Sequence, residues 1–300
     1  MKYSPILLLA LWYLMLGSAP GHELPLGKKL IKDYVFVPSG REGDSILPEY
    51  YISSIEVTNR QYRDFIQDLT DSGATEKLKI AMVDSMQWTK MFPSCKAFVG
   101  YYFQDHAYDD YPVVNVSKKA AELYCQWITE KYNSTSRQKA RFALPTELQW
   151  EYAARGGNPK AIYPWPGNSL TYEHRGKLHG TRMCNYLADT TVSLTDLRRQ
   201  RDTVDITAPS HSFMPNTYEI YNMAGNVAEM ISDQPYTKGG SFISHGDKML
   251  ISAYEDADLS HGWPTIGFRP VMMYENTTRY VTVLISFKKL VVGHPTLKGF

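Results

Sequence analysis

Past Gly157 the chain stops reading as helix. Residues 158 to 275 are broken every few positions by Pro, Gly, Asn and Asp, with only short apolar pieces between them. A structureless stretch of that length is rare inside a compact domain. Those pieces are therefore expected to pair as short strands, to be held by bound ions, or both. The 22 tyrosines point the same way, since Tyr packs well on pleated, half-exposed surfaces and at interfaces.

Before that point three helices are legible. In "EVTNRQYRDFIQDL" Thr58 stands three residues before Gln61, a capping box, with Tyr62, Phe65 and Ile66 on one face. "VSKKAAELYCQWITEKY" is capped by Ser117, and Ala121, Tyr124, Cys125 and Ile128 recur at helical spacing. "LPTELQWEYAARGG" carries a second box, Thr146 with Gln149, and Gly156 and Gly157 stop it. No repeat or Pro/Gly/Ser linker divides residues 30–275, which read as one domain. The run "RYVTVLISFKKLVV" in residues 276–300 forms a strand-like extension, expected to complete a sheet against an early strand such as "YVFVPSG".

Residues 1–21 have the layout of a secretory signal peptide. Lys2 precedes the apolar run "ILLLALWYLMLG", and Ala19 and Gly21 are the small residues before a cut near His22. The run is short for a bilayer span, the alternative reading. No cysteine stands near the junction, so a lipoprotein's acylated Cys is absent there. The expectation is an exported chain. Of three cysteines, Cys125 lies in a helical apolar stripe and is expected as a buried thiol, which leaves a Cys95–Cys184 bridge open.

The net charge of +1 and the lack of a basic stripe give no reason to expect nucleic acid. There is no HExxH, Walker loop, GxGxxG or GxSxG. Ser244 beside His245 is poor evidence for a triad, because neighbouring side chains point different ways. Two clusters offer the hard oxygens calcium accepts: "CNY" (184–186) with "DTVD" (202–205), and "AGNVAEM" (224–230), where Asn226 and Glu229 sit three apart. Turns held by Asx hydrogen bonds are the plainer reading of both.

Taken in order, "IEVTNRQYRDFI", "YPVVNVSKKAAELYCQW", "LPTELQWEYAARGG", "YPWPGN", "TAPS", "MPNTYEIYNMAGNVAEM", "KGGSF" and "GFRPV" resemble the formylglycine-generating enzyme (sulfatase-modifying factor) domain, from about residue 34 to 273. The resemblance implies an α+β, variant C-type-lectin-like fold with few helices, short strands, much irregular backbone and one or two calcium ions. It makes Asn185 and Asp202 side-chain ligands of one site, with carbonyls from Tyr186 and Val204, and Asn226 and Glu229 ligands of the other. There Ala228 and Met230 replace two tryptophans of the family's "GNVWEW".

The enzymes of that family hold copper(I) on two cysteines after GGS[FW]. Here those positions are Ser244 and Met249, and Ser241 matches a serine near the family's active site. Soft thiolates suit Cu(I) and a hydroxyl does not, so no copper and no formylglycine-generating activity are expected. "MQWTKMFPS" with "QDHAYDDYPVVNVS" resembles the gliding-motility and type IX secretion lipoproteins, which carry this domain without the cysteines. The implied role is a non-catalytic scaffold binding envelope proteins, within a ring-forming secretion or motility complex, in the periplasm and peripheral to the outer membrane. The alternatives are a divergent oxidase using other residues and a lectin-like carbohydrate-binding module.

Overall fold

The computed structural model describes residues 26–187 and 206–275. The signal-peptide segment, the 279–292 run, Asp202 and Val204 lie outside the described residues. A short helix α1 (Leu26–Leu30) is followed by β1 (Tyr34–Val37), a hairpin of β2 (Gly40–Glu42) and β3 (Ser45–Leu47), and β4 (Tyr50–Ser53). Helices α2 (Asn59–Asp71), α3 (Thr75–Ala81), α4 (Gln87–Met91), α5 (Phe98–Tyr101) and α6 (Lys118–Thr135) come next. Then follow β5 (Ala140–Ala143) and α7 (Glu147–Ala154). The second half holds only β6 (Ala228–Met230), β7 (Tyr236–Lys238), β8 (Tyr254–Asp256), β9 (Ile266–Gly267) and β10 (Val271–Tyr274). The α+β class with few helices and short strands is thus the observed one.

Each legible helix forms for the reason its sequence gives. Thr58 Oγ1 accepts from the Gln61 amide at 3.3 Å while the Gln61 side chain accepts from the Thr58 amide at 3.0 Å. Thr146 and Gln149 repeat the exchange, and Ser117 caps α6 through the Ala120 amide. The apolar stripes of α2 and α6 face each other across one core, with Tyr62 and Tyr124 stacked at 5.8 Å between centroids. Helices α3, α4 and α5 have no side-chain cap. Tertiary packing, such as Trp88 against Tyr102 at 4.9 Å, holds them, so their sequences carry no start signal.

Two four-stranded sheets organise the rest, in the orders β1-β4-β10-β5 and β8-β7-β6-β9. The first is antiparallel; in the second β9 runs parallel to β6. The segment joining β9 to β10 passes from one sheet to the other and carries Arg269, which has no solvent exposure. Arg269 donates to both oxygens of Glu229 on β6 at 2.6–2.9 Å, to the Ser53 carbonyl at the end of β4 at 3.1 Å, and to the Tyr221 carbonyl at 2.8 Å. Trp150 of α7 donates its indole N–H to the same carboxylate at 2.8 Å. One buried ion pair therefore fixes the sheets, a loop and a helix together. Removing one member of such a pair leaves an uncompensated buried charge. Arg269→Met is expected to cost about 3–5 kcal/mol of unfolding free energy in urea denaturation, and the double change Arg269→Met with Glu229→Leu distinctly less than Arg269→Met alone.

Candidate functional site

Strand β7 runs directly into Gly239, Gly240, Ser241 and Phe242. Gly239 and Gly240 take positive φ, 86° and 66°, which any side chain would resist. The turn is also crowded: a Cβ on Gly240 would meet the terminal methyl of Met249 and lie 3.1 Å from the Lys248 carbonyl. Beyond it Phe242 anchors the loop in an aromatic cluster, 6.0 Å from Phe92. Ser241 is thereby held facing inward.

Ser244 Oγ donates to Glu255 Oε2 at 2.7 Å. Since that uses its one proton, the Ser241 hydroxyl must donate to Ser244 across their 3.1 Å contact, and the Ser241 amide also reaches Ser244 Oγ at 2.9 Å. Ser244 is thus fully engaged, and its partner is Glu255 rather than the adjacent His245. Met249 is completely buried elsewhere, in an apolar cluster with Trp165, Cys184, Tyr186 and Ala224. A hydroxyl locked to a carboxylate and a thioether packed in hydrocarbon do not fit a cuprous centre.

The two expected calcium clusters meet. The Asn185 carbonyl accepts from the Asn226 amide at 2.8 Å, and the Asn185 side chain donates to Asn226 Oδ1 at 3.4 Å and to the Ile206 carbonyl at 2.8 Å. Asn185 and Tyr186 are both buried, next to one another. Their expected partners Asp202 and Val204 fall outside the described residues. The second cluster does not fit calcium as arranged. Glu229 gives both oxygens to Arg269 and Trp150, and Asn226 Oδ1 takes the Ala208 amide at 2.7 Å. An ion there would have to displace a guanidinium. Among the described residues no group of three His, Cys, Asp or Glu side chains is placed to hold a metal.

The residue that sequence reasoning missed is Glu56. It is wholly buried, receives Asn226 Nδ2 at 2.9 Å and Asn222 Nδ2 at 3.2 Å, and lies near the Arg269–Glu229 pair. Burial pushes the Glu56 carboxyl up to about 7, with the nearby Arg269 guanidinium opposing that shift and the Glu229 carboxylate adding to it. Asn222 Oδ1 and Ser210 Oγ, both buried, have no partner among the described residues. A charged residue between Ile55 and Val57 in a strand-like stretch was the available signal. The cysteines are all free: Cys95 packs with the Trp88 cluster and Cys184 with the Met249 cluster, so no bridge joins them. Burial raises the Cys125 thiol, and pushes that of Cys184 up to about 12.

Two concavities of the described residues bear on the reading, the first of them beside the loop. A small one of about 190 Å³ has Ser241, Ser244 and Glu255 on its wall. A wider one of about 560 Å³ is lined by Trp165, Tyr172, His174, Met183 and Met214.

Residues 35–273 match the family model of the sulfatase-modifying factor enzyme 1-like domain. The chain belongs to this sulfatase-modifying factor family. Its relatives include enzymes and an inactive type. It is 34% identical over 161 residues to the formylglycine-generating enzyme of Thermomonospora curvata, covering 45% of this chain and 46% of that one. It is 25% identical over 224 residues to the inactive Cα-formylglycine-generating enzyme 2 of Bos taurus, covering 66% and 65%. The chain thus spans about half the length of the first of these relatives and about two thirds of the second. Among solved structures, PvdO from Pseudomonas aeruginosa matches with a TM-score of 0.54 at 19% identity, over 80% of this chain and 93% of that one. That likeness establishes the fold.

Glu56 gives this family member a distinctive pH dependence. Its folded value lies above the ordinary carboxyl value of 4.5, at about 7, so the folded protein keeps a proton that the unfolded chain has released. Stability contributed by that proton is complete below about pH 4.5 and is lost as pH rises to about 7. In calcium-free buffer the wild-type minus Glu56→Gln difference in unfolding free energy is expected to fall by about 1 kcal/mol or more per pH unit across this window. It should level off above it. Urea titrations from pH 4.5 to 8 check this.

Proposed function

We propose that this chain is a non-catalytic member of the sulfatase-modifying factor family, an exported protein that binds protein partners in an envelope secretion or gliding-motility complex. The carrying observation is the pair of replaced copper positions, with Ser244 hydrogen-bonded to Glu255 and Met249 buried in an apolar cluster. A preserved scaffold around a lost metal centre favours binding over chemistry. The signal-peptide layout of residues 1–21 supports export, and the resemblance of residues 86–117 to secretion and motility lipoproteins supports a place at the periplasmic face of the outer membrane. Contact candidates are the loop Gly239–Met249 and the wider concavity with its half-exposed Met214. One calcium ion, on Asn185, Tyr186, Asp202 and Val204, belongs to this reading; hard oxygen donors of this kind suit it.

The purified chain supplied with copper is expected to leave a sulfatase-derived cysteine peptide unconverted, read as absence of aldehyde by mass spectrometry. Elemental analysis should give calcium without stoichiometric copper or iron; either transition metal would revive an oxidase. Affinity capture from envelope extracts of the native host should enrich outer-membrane secretion or motility components. Enrichment of none of them, or selective binding on a glycan array, would overturn the complex-member reading.

A further inference from the structure

The 190 Å³ cavity beside the loop has a wall of mixed chemistry. Ala228, Ile243, Ile266 and Trp263 supply dry, apolar wall. Ser241, Thr265 and Glu255 supply oxygen atoms to the same lining. Thr265 is only 7% exposed, and its hydroxyl has no partner among the described residues. Glu255 has a similar surplus. Its Oε2 takes the Ser244 proton, and among the described residues no cation pairs with it. The neighbouring Asp256, exposed at the cavity wall, likewise has no ion-pair partner among the described residues. The two lysines of the neighbourhood are held off. Lys238 is buried against Glu151 at 2.6 Å, and Lys248 contacts the Tyr254 carbonyl at 3.3 Å without an ion pair.

An orphan hydroxyl and an unneutralised carboxylate in one small chamber call for a donor-rich cation. Ser241 Oγ keeps acceptor capacity after donating to Ser244, so three oxygens, those of Ser241, Thr265 and Glu255, face the same space. An alkylammonium carries three N–H donors, no acceptor, and an apolar stem. The stem suits the dry wall, and the charge suits both Glu255 and the indole face of Trp263. The volume equals about six water molecules by their share of the liquid, enough for the end of a lysine side chain and too little for a sugar ring with its substituents. The chamber exists because residue 228 is alanine: an indole at this position, as in the pattern the sequence resembles, would project into it.

We propose that this cavity is a receptor for an alkylammonium group, presented by a lysine of a partner protein or by a small free amine. This deepens the binding-protein reading by naming what the loop region grips. That reading would survive if partners docked elsewhere, so the two fail separately: one by affinity capture, the other by the titration below.

The full chain is titrated calorimetrically with n-butylammonium, with Nα-acetyl-lysine methylamide, with an acetylated Ala-Lys-Ala peptide amide, and with the neutral Nα-acetyl-norleucine methylamide. Saturable binding is expected for the amines and not for norleucine. Glu255→Gln keeps an acceptor for Ser244 and should weaken amine binding at least tenfold, with the melting temperature little changed. Ala228→Trp should abolish it by filling the chamber; if this variant does not fold, Thr265→Val, expected to weaken binding several-fold, takes its place. Tighter binding of the peptide than of butylammonium assigns the source to a protein lysine, and the reverse order to a small amine. No saturable amine binding, equal binding of norleucine, or an affinity unmoved by Glu255→Gln would overturn the proposal.

Discussion

A guanidinium with no contact with water lies at the junction of every layer. Arg269 answers the cost of its own burial only because Glu229 meets it with both oxygens and because carbonyls of Ser53 and Tyr221 take its remaining N–H groups. Each of those partners belongs to a different piece of the chain. Since the carboxylate also receives the Trp150 indole, the helix that precedes the irregular half is tied to the same point. Short strands of two to four residues could not by themselves hold so much irregular backbone in one place. The charge pair supplies the directionality that a purely apolar core lacks.

Around that pair the polar interior continues as a connected set. Glu56 receives the amides of Asn222 and Asn226, and Asn226 in turn joins Asn185 and Ala208. The loop with the degenerate copper positions hangs from this set, through the hydrogen bond from the Phe242 amide to the Asn226 carbonyl at 3.0 Å. The backbone supports of that loop are thus continuous with the buried polar set. At the positions where the resemblance would put thiols stand a hydroxyl relay ending on Glu255 and a thioether packed into apolar neighbours.

The parts of this architecture that were legible in sequence are those governed by local rules. Capping boxes at Thr58 and Thr146 and the stripe of α6 act over three or four residues, and each formed where expected. The uncapped helices α3 to α5 rest on tertiary packing and the pairing of β6 with β9 joins residues nearly forty apart, and neither left a local trace. At the site, the resemblance to the formylglycine-generating enzyme domain picked out Ser241, Ser244 and Met249. They could not show that Ser244 would face Glu255, eleven residues on, or that Glu229 would be engaged by an arginine forty residues away. Charge compensation in the interior is a property of three-dimensional neighbours, and Glu56 was overlooked for the same reason.

The methyl tip of Met249 fills the space that glycine leaves open at position 240. A thiol two atoms shorter could not reach it, so a change back to cysteine there would hollow the turn before any cluster could form. A cysteine at position 249 is therefore opposed by the packing of the turn itself, whatever the neighbouring side chains offer.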